Sequence, residues 1–226
     1  MSKPKLYIVS TPIGNMADIT FRAIEVLKAV DMILSEDTRE TDKLLKKYGF
    51  SKPQISYRDQ NHIRVIEQIK NMLGSGKSLA LVSDSGTPLI SDPGFKLVRD
   101  LIEENIEIES VPGPSAVTAA LSVSGLPTDK FLFVGFLPKT EIQKEKFFEK
   151  YADIDATLIF YESPFRLSTS MQIAQKVLGH RLACVCNDIT KMYEEVVRGS
   201  LTELSNHYLQ KKIKGEFVVL IAKRDY

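Results

Sequence analysis

Hydrophobic and polar positions along this chain switch repeatedly between two rhythms. Short apolar runs alternate with stretches in which apolar residues recur every three or four positions, the signature of strand followed by amphipathic helix. Lys5 to Ser10 reads as the first strand and Thr11-Pro12-Ile13-Gly14-Asn15 as the turn after it. Asp18 or Thr20 then caps a helix through Val30, with Ala23, Ile24, Leu27 and Val30 as its buried stripe. Met32 to Ser35 reads as a strand running into Glu36-Asp37-Thr38-Arg39. A helix around Thr41 to Tyr48 ends at Gly49, Gln54 to Tyr57 is a weak strand, and Asn61 to Leu73 is a helix closed by Gly74. Leu79 to Val82 is a short buried strand. A helix with Phe95, Val98, Leu101 and Ile102 on one face follows, then a strand from Ile106 to Val111.

Pro112-Gly113-Pro114 reads as a hinge, dividing an N-terminal α/β domain, 1–112, from a C-terminal one, 115–226. Beyond it, Ser115 caps a helix from Ala116 to Ser124, Phe131 to Gly135 is an aromatic-rich strand, and Glu141 to Tyr151 is a charged amphipathic helix. Ala156 to Tyr161 is a strand, and Pro164 to Leu178 a helix with proline in its first turn. Strands at Leu182 to Cys186, Tyr193 to Arg198 and Phe217 to Ala222, with a helix at Leu201 to Leu209, complete the pattern. The regular alternation predicts an α/β fold with a mostly parallel sheet first and some antiparallel strands in the second half.

The segment around which these elements are organised is Ser83 to Gly94, Ser-Asp-Ser-Gly-Thr-Pro-Leu-Ile-Ser-Asp-Pro-Gly. It joins a strand to a helix, where open α/β sheets bind ligands at the carboxyl ends of their strands. Two glycines and two prolines hold its backbone in conformations that leave N–H groups outward. Asp84 and Asp92 add acceptors, and Asp92 is positioned to cap the following helix. Five loops are expected at one edge of the sheets: Thr11 to Asn15, Glu36 to Arg39, Ser83 to Pro93, Pro112 to Ala116 and Glu162 to Arg166. They suit binding and orienting two reactants better than covalent catalysis. By itself, the cluster Glu36, Asp37 and Arg39 reads as helix caps and surface ion pairs.

Composition narrows the chemistry. Of 226 residues, 30 are basic and 29 acidic, so a nucleic-acid partner has to be met by a local patch rather than by bulk charge. His62, His180 and His207 are scattered without ligand spacing, so no metal is expected, and none lies in the five loops, so no Ser/His/Asp arrangement is visible. Cys184 and Cys186, one residue apart in a predicted strand, are expected on opposite faces as buried structural thiols. The first apolar segment is too short for a signal peptide or membrane span, which makes the cytoplasm the expected address and excludes a membrane partner. Gly74-Ser75-Gly76-Lys77-Ser78 looks like the end of a phosphate-binding loop. Asn71 stands where that motif needs glycine, and the segment leaves a helix instead of opening one. The basic run Lys211-Lys212-Ile213-Lys214 reads as charged surface.

Seven motifs occur in order: Thr11 to Asn15, Ser35 to Arg39, Ser83 to Gly94, Val111 to Ala116, Phe136-Leu137-Pro138, Phe160-Tyr161-Glu162-Ser163-Pro164 and Lys214 to Val218. Together, from Leu6 to about Ala222, they resemble the small-subunit rRNA methyltransferases of the tetrapyrrole methylase superfamily. The resemblance implies two α/β domains with S-adenosyl-L-methionine in the cleft between them, a homodimer, and methylation of the ribose 2′-hydroxyl of a cytidine in 16S rRNA, within the 30S subunit. It implies cofactor contacts from Ile13, Asp84, Gly86, Pro88, Ile90, Ser115, Ala116, Tyr161 and Glu216. Thr190 to Glu195 matches a further family stretch near the cleft. Glu36 or Asp37 is expected as general base, with Arg39 or Lys191 as the cation near phosphate or alkoxide; Arg39, Arg166 and Lys191 are candidates for RNA backbone contacts. Asn187-Asp188-Ile189 departs from the usual Arg-Glu-Leu, and Phe165 from a frequent His. Two alternatives belong beside this reading: transfer to a tetrapyrrole or to a diphthine-type acceptor, and a silent S-adenosylmethionine-binding module on the ribosome.

Overall fold

The computed structural model describes residues 4–209, 213–224 and 226; of the basic run, Lys211 and Lys212 lie outside them. The chain forms two compact units, Met1–Ser115 and Ala116–Tyr226.

The first unit is a doubly wound parallel sheet. Its elements in order are β1 (Lys5–Val9), α1 (Phe21–Ala29), β2 (Met32–Ser35), α2 (Thr38–Lys47), β3 (Gln54–Ser56), α3 (His62–Gly74), β4 (Leu79–Val82), α4 (Phe95–Glu103) and β5 (Glu107–Val111). Every pairing is parallel and the spatial order is β3-β2-β4-β1-β5. Because side chains alternate along each strand, Leu6, Leu34, Leu79 and Leu81 pack with Ile66 and Ile69 of α3 and Leu97 and Leu101 of α4. Val9, Ile33, Ala80 and Val82 pack on the other face, with Ala23 and Leu27 of α1 and Leu45 of α2. The direction in which connections leave reverses between the parallel neighbours β2 and β4: the connection from β2 runs to β3 on one side, that from β4 to β5 on the other. This is the switch point at which such sheets open a crevice.

The second unit carries a mixed sheet. It comprises α5 (Ala116–Ser124), β6 (Phe131–Phe136), α6 (Glu141–Lys150), β7 (Thr157–Glu162), α7 (Pro164–Leu178), β8 (Leu182–Asn187), β9 (Glu195–Ser200), α8 (Leu201–Leu209) and β10 (Phe217–Ile221). The order is β6-β7-β10-β8-β9, with β6 and β7 parallel and the other pairs antiparallel. One face is covered by α6, α7 and α8 through Phe148, Leu167, Met171, Leu204 and Tyr208. Among the described residues no helix is long and apolar enough to cross a membrane.

One choice between two caps is settled and four local expectations are corrected. Thr20 caps α1, its hydroxyl accepting from the Ala23 amide, and Asp18 sits in a preceding 3-10 turn. α2 starts at Thr38, not Thr41, because the Asp37 side chain caps it by accepting from the Arg39 amide. Asp92 is not the cap of α4: that position is Gly94, whose φ of 133° no other residue adopts easily. The buried positions of α4 are Leu97 and Leu101, while Phe95 and Ile102 face solvent, since the helix begins one residue after the bend at Gly94. Cys184 and Cys186 share one face of β8, with sulfurs 3.9 Å apart, because strand side chains repeat with a period of two. Both are buried and unbridged.

Candidate functional site

Strand ends and glycine turns build the first unit's site. The loops after β1 and β4 meet in a two-residue bridge: the Thr11 amide donates to Gly86 O at 2.9 Å and the Gly86 amide to Thr11 O at 3.2 Å. The Thr11 hydroxyl donates to Ser83 O. Thr87 Oγ1 lies 3.0 Å from Ser10 Oγ and donates to Pro114 O at 3.1 Å, so the loop after β5 is tied in as well. At Gly86, φ is 80°, and a Cβ would stand 3.2 Å from Ile13 Cγ2, so only glycine leaves this backbone open to close approach. Leu89 and Ser91 also have positive φ, an expensive conformation for residues with side chains.

At the switch point the loops after β2 and β4 clasp each other. Asp84 Oδ1 accepts from the Asp37 amide at 2.9 Å, and Glu36 Oε2 accepts from the Asp84 amide at 3.3 Å. Burial raises the Asp84 carboxyl above its ordinary pKa, partly offset by that amide. Burial also pushes Asp92 up to about 6, against a hydrogen bond from Ser83, with Glu36 and Asp84 adding repulsion. Asp37 is the opposite case: hydrogen bonds from Arg39 hold it well below the usual carboxylate range. Arg58 Nε donates to Glu36 O at 3.0 Å, so a second cation borders the crevice.

The structure therefore brings Ile13, Glu36, Asp37, Arg39, Asp84, Gly86, Pro88 and Ile90 to one edge of the first sheet. Ile13 and Pro88 are buried and Ile90 is exposed. A loop the sequence reading left out lies at the same edge. Tyr57 to Asn61 follows β3, and Asp59 Oδ1 accepts from the Gly94 amide at 3.2 Å. The available signal was position: an aspartate two residues past Tyr57, just beyond a strand's carboxyl end.

In the second unit, Phe217 of β10 pairs with both Glu162 of β7 and Asn187 of β8, so the loops leaving β7 and β8 share one sheet edge. Tyr161 is packed edge-on by Phe133 and Phe136. Lys191 donates to Glu216 Oε2 at 2.7 Å and Asp188 Oδ1 at 3.0 Å. Burial lowers the pKa of Lys191, but the two carboxylates outweigh it, so the amine stays cationic. Gly215 has φ 103°, and any side chain there would strike the Asp188 carboxylate and the Asn187 amide. Asn187 Oδ1 is a buried acceptor without a hydrogen-bond partner among the described residues.

Beneath this edge lies a charged cluster that the sequence reading missed. Glu162 is fully buried and accepts from the Ser163 amide at 2.8 Å, Ser170 Oγ at 2.6 Å and Arg166 Nη2 at 2.6 Å. Lys144, also buried, donates to Ser170 Oγ at 2.7 Å and stands 3.5 Å from Glu162. Lys144 sits within a charged helix, and nothing in its spacing marks it as a core residue.

Comparison with known proteins gives consistent results. The family model described as tetrapyrrole (corrin/porphyrin) methylases matches residues 5–205. A ribosomal RNA small subunit methyltransferase I of Rickettsia prowazekii is 49% identical over 97% of this chain and 79% of its own length. The protein of the same name from Thermotoga maritima is 42% identical, over 98% and 99%. Among solved structures, the methyltransferase CobJ superposes with a TM-score of 0.72 at 18% identity, covering 98% of this chain and 95% of that one.

Proposed function

We propose that this chain, which belongs to the tetrapyrrole (corrin/porphyrin) methylase family and within it to the ribosomal RNA small subunit methyltransferases I, methylates the ribose 2′-hydroxyl of a cytidine in 16S rRNA, using S-adenosyl-L-methionine. The observation that carries the reading is that the likeness to those methyltransferases runs along nearly the whole chain.

The residues at the sheet edges fit the methyl donor. The backbone at Gly86 lacks the Cβ that would fill its cradle, the carboxylates of Glu36, Asp84 and Asp92 suit a cationic ligand, and Asn187 Oδ1 is an acceptor awaiting a donor. Ile13, Asp84, Gly86, Pro88 and Ile90 from the first unit's loops, with Ser115, Ala116, Tyr161 and Glu216, are the proposed cofactor contacts. When bound, S-adenosyl-L-methionine supplies a methyl group on a sulfonium, which is already an activated leaving group.

The protein's share is then alignment and proton removal. Glu36 is the proposed base. Its carboxylate accepts one long hydrogen bond, from the Asp84 amide at 3.3 Å, which leaves oxygen lone pairs for a ribose hydroxyl. Asp37 serves less well, because its oxygens are taken by Arg39 and by the cap of α2. Arg39, whose guanidinium is largely exposed, and Lys191 are the proposed cations for phosphate or developing alkoxide. The proposed setting is the cytoplasm, with the 30S particle as substrate and a homodimer as the working form.

The test is transfer of labelled methyl from S-adenosylmethionine to undermethylated 30S subunits and to naked 16S rRNA, with the label mapped to base or ribose. A 2′-O-methylcytidine is expected. Cofactor binding with label on neither RNA would overturn the reading and send the search to tetrapyrrole or protein acceptors.

A further inference from the structure

α4 begins without a capping side chain of its own, because its N-cap is Gly94. A helix start buried behind a loop needs partners for its free N–H groups. Here one comes from the segment after β3. Asp59 Oδ1 accepts from the Gly94 amide at 3.2 Å, and the buried Tyr57 packs in one core cluster with Leu97 and Leu101 of α4. Tyr57 Oη meets His62 Nδ1 at 3.0 Å. His62 Nε2 in turn lies 2.8 Å from Asp100 Oδ2, on α4 itself. Arg99 holds the other Asp100 oxygen at 2.8 Å.

Two ties therefore run from the segment after β3 to α4: Asp59 to the helix start at Gly94, and Tyr57 through His62 to Asp100. The second tie is shielded from solvent at its centre, Tyr57 being fully buried and His62 nearly so. The point the two ties fix is the exit of the loop Ser83 to Gly94. Gly94 has φ 133°, and a Cβ there would stand 2.8 Å from Leu81 Cδ2 and 3.1 Å from Leu89. Leu89 and Ser91, held at φ 72° and 64°, need such an anchor, since strained backbone persists only where its surroundings over-determine it.

We propose that Tyr57, Asp59, His62 and Asp100 form an external cap of α4 that holds the Ser83–Gly94 loop in its ligand-binding shape. They are positioning residues for the cofactor: Asp59 sets the loop exit directly, and Tyr57 and His62 brace it. The inference rests on the functional reading above in taking that loop as the cofactor's.

The experiment uses the full chain, with S-adenosylhomocysteine as the calorimetric probe and amide hydrogen exchange as a second readout. Asp59→Ala removes the acceptor and Asp59→Asn keeps an oxygen in its place. Loss of one hydrogen bond to a charged group is expected to weaken S-adenosylhomocysteine binding about tenfold in Asp59→Ala. KM for S-adenosylmethionine should rise with kcat at saturation within about twofold of the parent. Asp59→Asn should restore binding, and the Gly94 amide should exchange faster in the alanine variant only. Tyr57→Phe, which keeps the ring in the core, should show the same pattern if Asp59→Ala does not fold. Asp59→Ala or Tyr57→Phe with unchanged affinity and unchanged Gly94 protection would overturn the proposal. A parent protein that fails to bind S-adenosylhomocysteine would overturn the functional reading instead, and Gly94 exchange would still decide the cap.

Discussion

Asp37 and Arg39 are bound to each other at three points. The Arg39 amide and Nε donate to Asp37 Oδ1 at 2.9 and 3.0 Å, and Nη2 donates to Oδ2 at 2.6 Å. One carboxylate thus caps α2 and neutralises a guanidinium at once. The adjacent Glu36, the proposed base, takes no part in this pairing.

That division predicts unequal effects on turnover. Glu36→Gln should lower kcat by about 10²-fold or more, the usual loss when a general base is removed. Asp37→Asn should lower kcat by less than about tenfold, and act mainly on stability. Single-turnover methyl transfer at saturating cofactor measures both. A larger loss in Asp37→Asn would transfer the role to Asp37.

The Asp37 carboxyl has its pKa lowered in the folded state by hydrogen bonds from Arg39. Its stabilisation is therefore present above the unfolded value of about 4 and is lost as pH falls through the lower folded value. The melting-temperature gap between the parent and Asp37→Asn should be widest near neutrality and close in acid. A gap that stays constant with pH would mean the cap acts without its charge.

Asp92 has the opposite sign. Burial pushes it up to about 6, so the folded state holds a proton that the unfolded chain releases near pH 4. Its stabilising contribution is present below that unfolded value and lost as pH rises through about 6. Asp92→Asn, which mimics the protonated form, should gain about 1–2 kcal/mol at pH 8 after discount for partial exposure, and nothing near pH 3.5. Urea unfolding at the two pH values checks it; an equal gain at both would remove titration as the cause.

Gly86→Ala should weaken cofactor binding more than it weakens the fold. The new methyl meets Ile13 Cγ2 at 3.2 Å, and φ of 80° costs an alanine about 1–2 kcal/mol. Calorimetry with S-adenosylhomocysteine should show a rise in Kd of about tenfold or more. Unchanged affinity would place the cofactor away from this turn.

Glu162 and Lys144 should differ in what their removal costs. Glu162→Gln leaves the buried Lys144 amine without its charge partner, and breaking such a pair costs about 3–5 kcal/mol. Lys144→Met should cost less, because Glu162 keeps Arg166, Ser170 and the Ser163 amide. Burial lowers the Lys144 pKa, which limits what its charge contributes. Urea midpoints of both variants and the double variant measure the asymmetry.

Much of this architecture was legible in local pattern. Leu79 to Val82 read as a buried strand because four apolar residues stand together, and Pro164 marked the first turn of α7 because only there does its missing N–H cost nothing. The edge of the first sheet was legible for the same reason: once strands are placed, the loops at their carboxyl ends must gather. The start of α4 was not. Asp92 has the composition of a cap, yet the backbone turns at Gly94, and the Gly94 amide is met by Asp59 from another βα unit.

The sequence by itself determined the alternating elements, the loops at the strands' carboxyl ends and the family, since these depend on residue type and on spacing along the chain. Only the tertiary structure decided which acid is free and which is locked, which helix start is capped from outside, and that Lys144 lies in the core beside Glu162. Those properties depend on distances between residues far apart in sequence, where a few tenths of an ångström separate a hydrogen bond from none.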